Sequence, residues 1–230
     1  MLLLFDVDGT LLVGASTEHR ESIHAALRDV HGLADPGAAD VPAPGRTDGD
    51  ISRQILLRSG VDAERIDERA DAVREATCRQ FARRCPGDLR HAVAPGMAAL
   101  LSALDRRDGV RLALLTGNYE PIARLKMERA GLGDRFEHGQ GAFGSDHEDR
   151  AALPAVARAR AGENSRAHPR ERTVVIGDTP NDIGCARADG VRCVAVATGP
   201  FDVAALRGAD AVAAHAGALG DALEAMLARA

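Results

Sequence analysis

Short apolar runs that stop at a polar residue alternate along this chain with longer stretches whose apolar positions recur every three or four residues. Leu2 to Phe5 stops at Asp6, Val110 to Leu115 at Thr116, Thr173 to Gly177 at Asp178, and Arg192 to Ala197 at Thr198-Gly199; Ala211 to Ala214 is a fifth run. Unbroken apolar runs of this length mark parallel strands buried on both faces. The helical stretches between them are Met97 to Arg107, Glu120 to Ala130, Leu153 to Ala161 and Asn181 to Ala188. The pattern predicts an α/β protein with a Rossmann-like doubly wound parallel sheet.

One interval breaks the alternation. Residues 11–94 separate the first run from the next helix, whereas a crossover needs only about a dozen residues and a helix. The interval holds helical stripes instead of strands: Ile23, Ala26, Leu27 and Val30; Ile51, Ile55 and Leu56; then Ile66, Ala70, Val73, Ala76, Thr77 and Phe81. A Pro-rich connection, Asp40-Val-Pro-Ala-Pro-Gly45, punctuates it. The expectation is an α-helical cap over residues 14–91, inserted into a catalytic core of residues 1–13 and 92–230.

Composition narrows the class. Apolar residues are 45% and charged residues 27%, the balance of a globular chain with a real core. Aromatics are 3% and the net charge is -5, which argues against a nucleic-acid partner built on stacking or on a basic face. No stretch approaches the roughly 18 apolar residues of a membrane span. The apolar start meets Asp6 and Asp8 too soon for a signal segment. Cys78, Cys85, Cys185 and Cys193 form no C-x-x-C pair, so reduced thiols and a cytoplasmic protein are expected. Nothing in the sequence signals an oligomeric state.

The chemistry sits where the strands end. In such a sheet, ligands bind beyond the carboxyl ends of the strands. Those ends deliver Asp6 with Asp8, Thr116 with Gly117 and Asn118, and Asp178 with Asp182. Converging carboxylates repel one another and call for a hard divalent cation, and Mg²⁺ combines carboxylates with substrate phosphate oxygens. Each motif alone has a plain alternative: D-x-D as a solvated turn, Thr116 and Asn118 as a helix cap, Gly177-Asp178 as another turn. Three at successive strand ends favour one site for metal-assisted phosphoryl chemistry.

Phe5-Asp6-Val7-Asp8-Gly9-Thr10, Leu115-Thr116-Gly117-Asn118 and Gly177-Asp178-Thr179-Pro180-Asn181-Asp182 together resemble the haloacid dehalogenase superfamily, in its phosphoglycolate-phosphatase-like branch with a helical cap. The resemblance implies Asp6 as nucleophile and Asp8 as general acid and base. It implies Mg²⁺ on Asp6, the carbonyl of Asp8 and Asp178, with Asp182 orienting a metal-bound water. Thr116 and Gly117, with Asn118, would grip the phosphoryl group. It also places Arg46, on the Pro-rich connection, among substrate-selecting residues; the alternative is a solvated Arg beside an N-cap at Thr47. His147, in a charged loop, is expected to bind no metal.

The phosphate-clamping cation departs from the family pattern. Relatives present a lysine before the last acidic strand, where this chain has Arg150. The chain has 28 arginines and a single lysine, Lys126, on the helix after Asn118. A lone lysine kept among so many arginines points to a need for a compact ammonium, so Lys126 is placed ahead of Arg150 as the clamp. The reaction expected is hydrolysis of a small phosphorylated metabolite. Asp8 argues against dehalogenation, and the lack of lysine in residues 11–94 against Schiff-base phosphonate cleavage. A sugar phosphomutase is the alternative, and a phospho-aspartate signalling or binding module stands further off.

Overall fold

A computed structural model describes residues 1–228. Six parallel strands form the sheet: β1 (Leu2–Phe5), β2 (Arg111–Thr116), β3 (Ala142–Phe143), β4 (Thr173–Gly177), β5 (Arg192–Val196) and β6 (Ala211–Ala213). Their order is β3-β2-β1-β4-β5-β6, so the direction of winding reverses between β1 and its neighbours. That reversal opens a crevice at the carboxyl ends of the central strands. The α/β, doubly wound expectation holds. The strand missing from the sequence reading is β3. Two residues carry no period, and only pairing of Leu115 with Ala142 and Thr116 with Phe143 makes them a strand.

The five helices after the insertion are α4 (Met97–Asp105), α5 (Glu120–Arg129), α6 (Leu153–Arg160), α7 (Pro180–Asp189) and α8 (Ala216–Leu227). Alternation along β1 divides the core. Leu3 and Phe5 pack with Met97, Leu101, Met127, Leu219 and Leu223, whereas Leu2 and Leu4 pack with Leu153, Ala157, Ile183 and Ala186. Both faces of β1 are fully buried, which is why its sequence is an unbroken apolar run.

The first three helices lie within the interval that broke the alternation: α1 (Thr17–His31), α2 (Asp48–Arg58) and α3 (Ala63–Arg84). They close their own core around Ile23, Leu27, Ile51, Ile55, Ile66 and Val73. Ala70, counted on the α3 stripe, is exposed. The strands of chain entering and leaving this unit run side by side: Val13 N–H donates to Ala92 and Ala94 N–H to Leu11, at 2.8 and 2.9 Å. No helix among the described residues is long and apolar enough to cross a membrane.

Candidate active site

Asp6 and Asp178 close the central strands β1 and β4 side by side. Asp6 is 4% exposed and Asp178 1%. Gly9, at φ +87°, turns the chain after β1, and a Cβ there would lie 2.2 Å from Asp178 Oδ2. A Cβ at Gly199, after β5, would lie 1.7 Å from the same oxygen. Two glycines therefore make room for this carboxylate. Asp178 Oδ1 accepts from Thr10 Oγ1 at 3.0 Å, while Oδ2 is buried without a hydrogen-bond partner.

Asp6, Asp178 and Asp182 each offer an oxygen within 4.8 Å of the others. Asp182 is already committed. Its Oδ2 accepts from Thr179 N–H and Thr179 Oγ1 in a capping box at the start of α7, and its Oδ1 accepts from Arg150. The unpartnered Asp178 Oδ2 beside Asp6 is the feature that fits a small hard cation. Burial, with Asp182 and Asp8 nearby, pushes Asp6 up to about 7 against the pull of Arg150. Burial, then Asp6 and Asp182, pushes Asp178 up to about 8.

The two cations that the sequence left in competition serve different acids. Arg150, 8% exposed at the start of α6's leading turn, donates to Asp6 Oδ1 at 3.0 Å and to Asp182. Its Nε is buried without a partner. Lys126, fully buried, donates to Asp8 Oδ1 and Oδ2 at 2.8 and 2.6 Å, to Asn118 Oδ1 at 3.0 Å, and to His19 Nδ1 at 3.2 Å. An ammonium has three N–H groups, and Asp8, Asn118 and His19 use all of them. Arg150, rather than Lys126, lies against Asp6, the nucleophile candidate, and Lys126 lies against Asp8.

Asn118 also donates Nδ2–H to Asp8 Oδ2 at 3.0 Å. Burial would raise the Asp8 carboxyl, but the Lys126 ammonium and these hydrogen bonds outweigh it and hold the group below its ordinary range. Thr116 ends β2 and its Oγ1 accepts from Asn118 N–H at 3.3 Å. Gly117 passes under the Pro-rich connection so closely that a Cβ would lie 2.0 Å from the Arg46 carbonyl oxygen. Arg46 is exposed and its guanidinium pairs with Asp50 at 2.5 Å. Thr47 is the N-cap of α2, its Oγ1 accepting from Asp50 N–H at 3.1 Å. His147 is exposed and accepts from Asp149 N–H at 2.9 Å.

Asp6, Asp8, Gly117, Asn118, Arg150 and Asp178 border one cavity of about 690 Å³, closed on its other side by the inserted helices. Two of its residues escaped the sequence reading. His19 lies four residues before Ile23, on the buried stripe of α1, and that position was the available signal. Asp48 reads as an ordinary first-turn acid of α2, and nothing in the sequence marks its contacts.

Acids at the ends of adjacent parallel strands, with buried Arg150 on Asp6 and buried Lys126 on Asp8 under a helical insertion, define an α/β protein with an acidic active-site crevice. The sequence model of haloacid dehalogenase-like hydrolases matches residues 3–187, and the chain belongs to that family. It is 31% identical over 201 residues to the phosphoglycolate phosphatase of Rhodospirillum rubrum, covering 86% of this chain and 79% of that one. It is equally 31% identical over 201 residues to the tyrosine-protein kinase PtkA of Mycobacterium tuberculosis, covering 86% of this chain but only 62% of the relative's length. The solved structure of CbbY from Rhodobacter sphaeroides in complex with phosphate shares the fold, with a TM-score of 0.63, 21% identity, and coverage of 95% of this chain and 96% of that one.

Proposed function

We propose that this protein is a Mg²⁺-dependent phosphatase that hydrolyses a small phosphomonoester through an aspartyl-phosphate on Asp6, with the inserted helices as its cap. The observation that carries the reading is the division of labour between two buried cations, Arg150 on Asp6 and Lys126 on Asp8.

In the first half-reaction an Asp6 oxygen attacks phosphorus and the ester oxygen leaves with the proton of Asp8. Asp8 is held ionised at rest by Lys126. A phosphate dianion brought against it disfavours that charge and returns the carboxyl toward its acid form. In the second half-reaction Asp8 takes a proton from water, which attacks the phosphoryl group and frees Asp6. Arg150 offsets the repulsion between Asp6 and the incoming phosphate, as does Thr116 by turning its hydroxyl proton to the transferring group. Mg²⁺ bound to Asp6, Asp178 and the Asp8 carbonyl would supply further neutralisation of the phosphate, with Asp182 keeping Arg150 and the start of α7 in place.

A screen of phosphorylated metabolites, read as released phosphate with Mg²⁺ and with excess chelator, tests the proposal. It includes phosphoglycolate and phosphotyrosine, given the names of the two relatives. The expected result is metal-dependent release and a hydroxylamine-sensitive phosphoryl label that Asp6→Asn lacks. Full activity in chelator, or a label that survives Asp6→Asn, overturns it. Turnover that requires a bisphosphorylated sugar would assign the mutase reaction instead.

A further inference from the structure

Lys126 is where the inserted helices meet the acid/base candidate. Its third N–H goes to His19 Nδ1, on α1, at 3.2 Å. That nitrogen must accept, so the proton of the neutral ring sits on Nε2, which faces Asp48 Oδ2 at 3.1 Å. The same Asp48 oxygen accepts from Tyr119 N–H at 2.7 Å, and Asp48 N–H donates to the Gly117 carbonyl at 2.9 Å. Phe81 of α3 completes the enclosure: the His19 ring meets it edge-on at 5.5 Å and the Lys126 ammonium lies 5.8 Å from its centre.

Two of the inserted helices, α1 through His19 and α3 through Phe81, thus meet one ammonium on the core, and α2 is linked to it through Asp48 on His19. His19 is 5% exposed, Asp48 1% and Phe81 1%. A buried ammonium must satisfy each of its donors, because an unpaired one has given up its hydration for nothing. Without His19 the ammonium has to rotate toward another acceptor, and the grip on both Asp8 oxygens rotates with it.

We propose that His19 and Asp48 are positioning residues for Asp8, acting through Lys126, so that the acid/base carboxylate is aligned only when the inserted helices are seated on the core. The inference rests on the phosphatase reading, in which Asp8 protonates the leaving oxygen. His19 touches neither the reacting phosphoryl group nor Asp6. Its effect therefore scales with how much protonation the leaving group needs.

The test is the dependence of kcat/KM on leaving-group basicity over a series of aryl and alkyl phosphates, in wild type, His19→Leu, His19→Asn and His19→Gln. Asn places its carbonyl where Nδ1 stands and can accept from Lys126, whereas the Gln amide reaches to the Nε2 position beside Asp48. The expected loss in His19→Leu and His19→Gln is about 10²-fold for alkyl phosphates and under about threefold for nitrophenyl phosphate. His19→Asn is expected to restore the wild-type dependence. If His19→Leu fails to fold by circular dichroism, the Asn and Gln pair carries the comparison. An equal loss across the whole series, or no difference between Asn and Gln, overturns the positioning role. Absence of activity on every ester in the wild type would instead overturn the phosphatase reading.

Discussion

Asp6 and Asp8 stand two positions apart, yet their surroundings push them in opposite directions. Asp6 shares its burial with Asp178 and Asp182 and is raised to about 7, whereas Asp8 is lowered by Lys126 against the burial that would raise it. Asp178 is raised further, to about 8. Acids whose folded-state values exceed their ordinary 3.8 favour the folded chain below about pH 4, and that contribution drains away as pH rises through 7 to 8. A cation on these oxygens competes with their protons. Thermal stabilisation by Mg²⁺ should therefore be small near about pH 5.5 and grow to several degrees near about pH 8.5, with proton release on binding measurable by calorimetry in buffers of different ionisation enthalpy. A stabilisation independent of pH would separate the metal from Asp6 and Asp178.

Removing each cation asks a second question at this scale. Arg150→Met should lower kcat/KM by about 10²-fold or more for every ester, because the repulsion it offsets does not depend on the leaving group. Lys126→Met should spare esters with acidic leaving groups and damage the rest. It should also destabilise the fold, since Asp8, Asn118 and His19 lose a common partner; the removal of one member of a buried pair costs about 3–5 kcal/mol. The two substitutions, assayed side by side on nitrophenyl and alkyl phosphates, separate the roles.

Between elements, the Pro-rich connection crosses closely over the turn after β2. Gly117 is not in the left-handed region, so its backbone tolerates a side chain; the space does not, with the Arg46 carbonyl 2.0 Å from a Cβ. Gly117→Ala should lift the connection before α2 off the core, break the Asp48 to Gly117 hydrogen bond, and lower kcat/KM by about tenfold or more. The unfolding midpoint should move by only a few degrees, because the sheet core and the core of the three helices are untouched. A variant with normal kinetics would show that the connection does not govern the site.

At the scale of the whole molecule, the cavity lies between the strand ends and the inserted helices, and the proposed function gives the chemistry to the first wall and the leaving group to the second. Arg46 borders that cavity, with its guanidinium on Asp50. Arg46→Ala should raise KM or reorder substrates while leaving a small aryl phosphate within about threefold of wild type. A uniform loss across substrates would make Arg46 a brace for the connection instead.

The strands, their polar ends and the long helical interval were legible because their causes are local: burial on both faces removes polar residues from β1, and one-face burial imposes the helical period on α1, α2 and α3. The acids were legible for the same reason, since D-x-D, T-G-N and G-D-x-x-x-D fall where an apolar run stops. β3 was not, because a two-residue strand owes its existence to β2. The assignment of cations was not either. Composition argued for the importance of Lys126 without naming a partner. Only tertiary packing supplied His19 of α1 as the acceptor for the last N–H of Lys126, placed Arg150 between Asp6 and Asp182, and left Asp178 with one bare oxygen. Which residues could carry the chemistry follows from the sequence, through local burial; which charge faces which depends on contacts spanning more than a hundred residues, and the tertiary structure alone decides those.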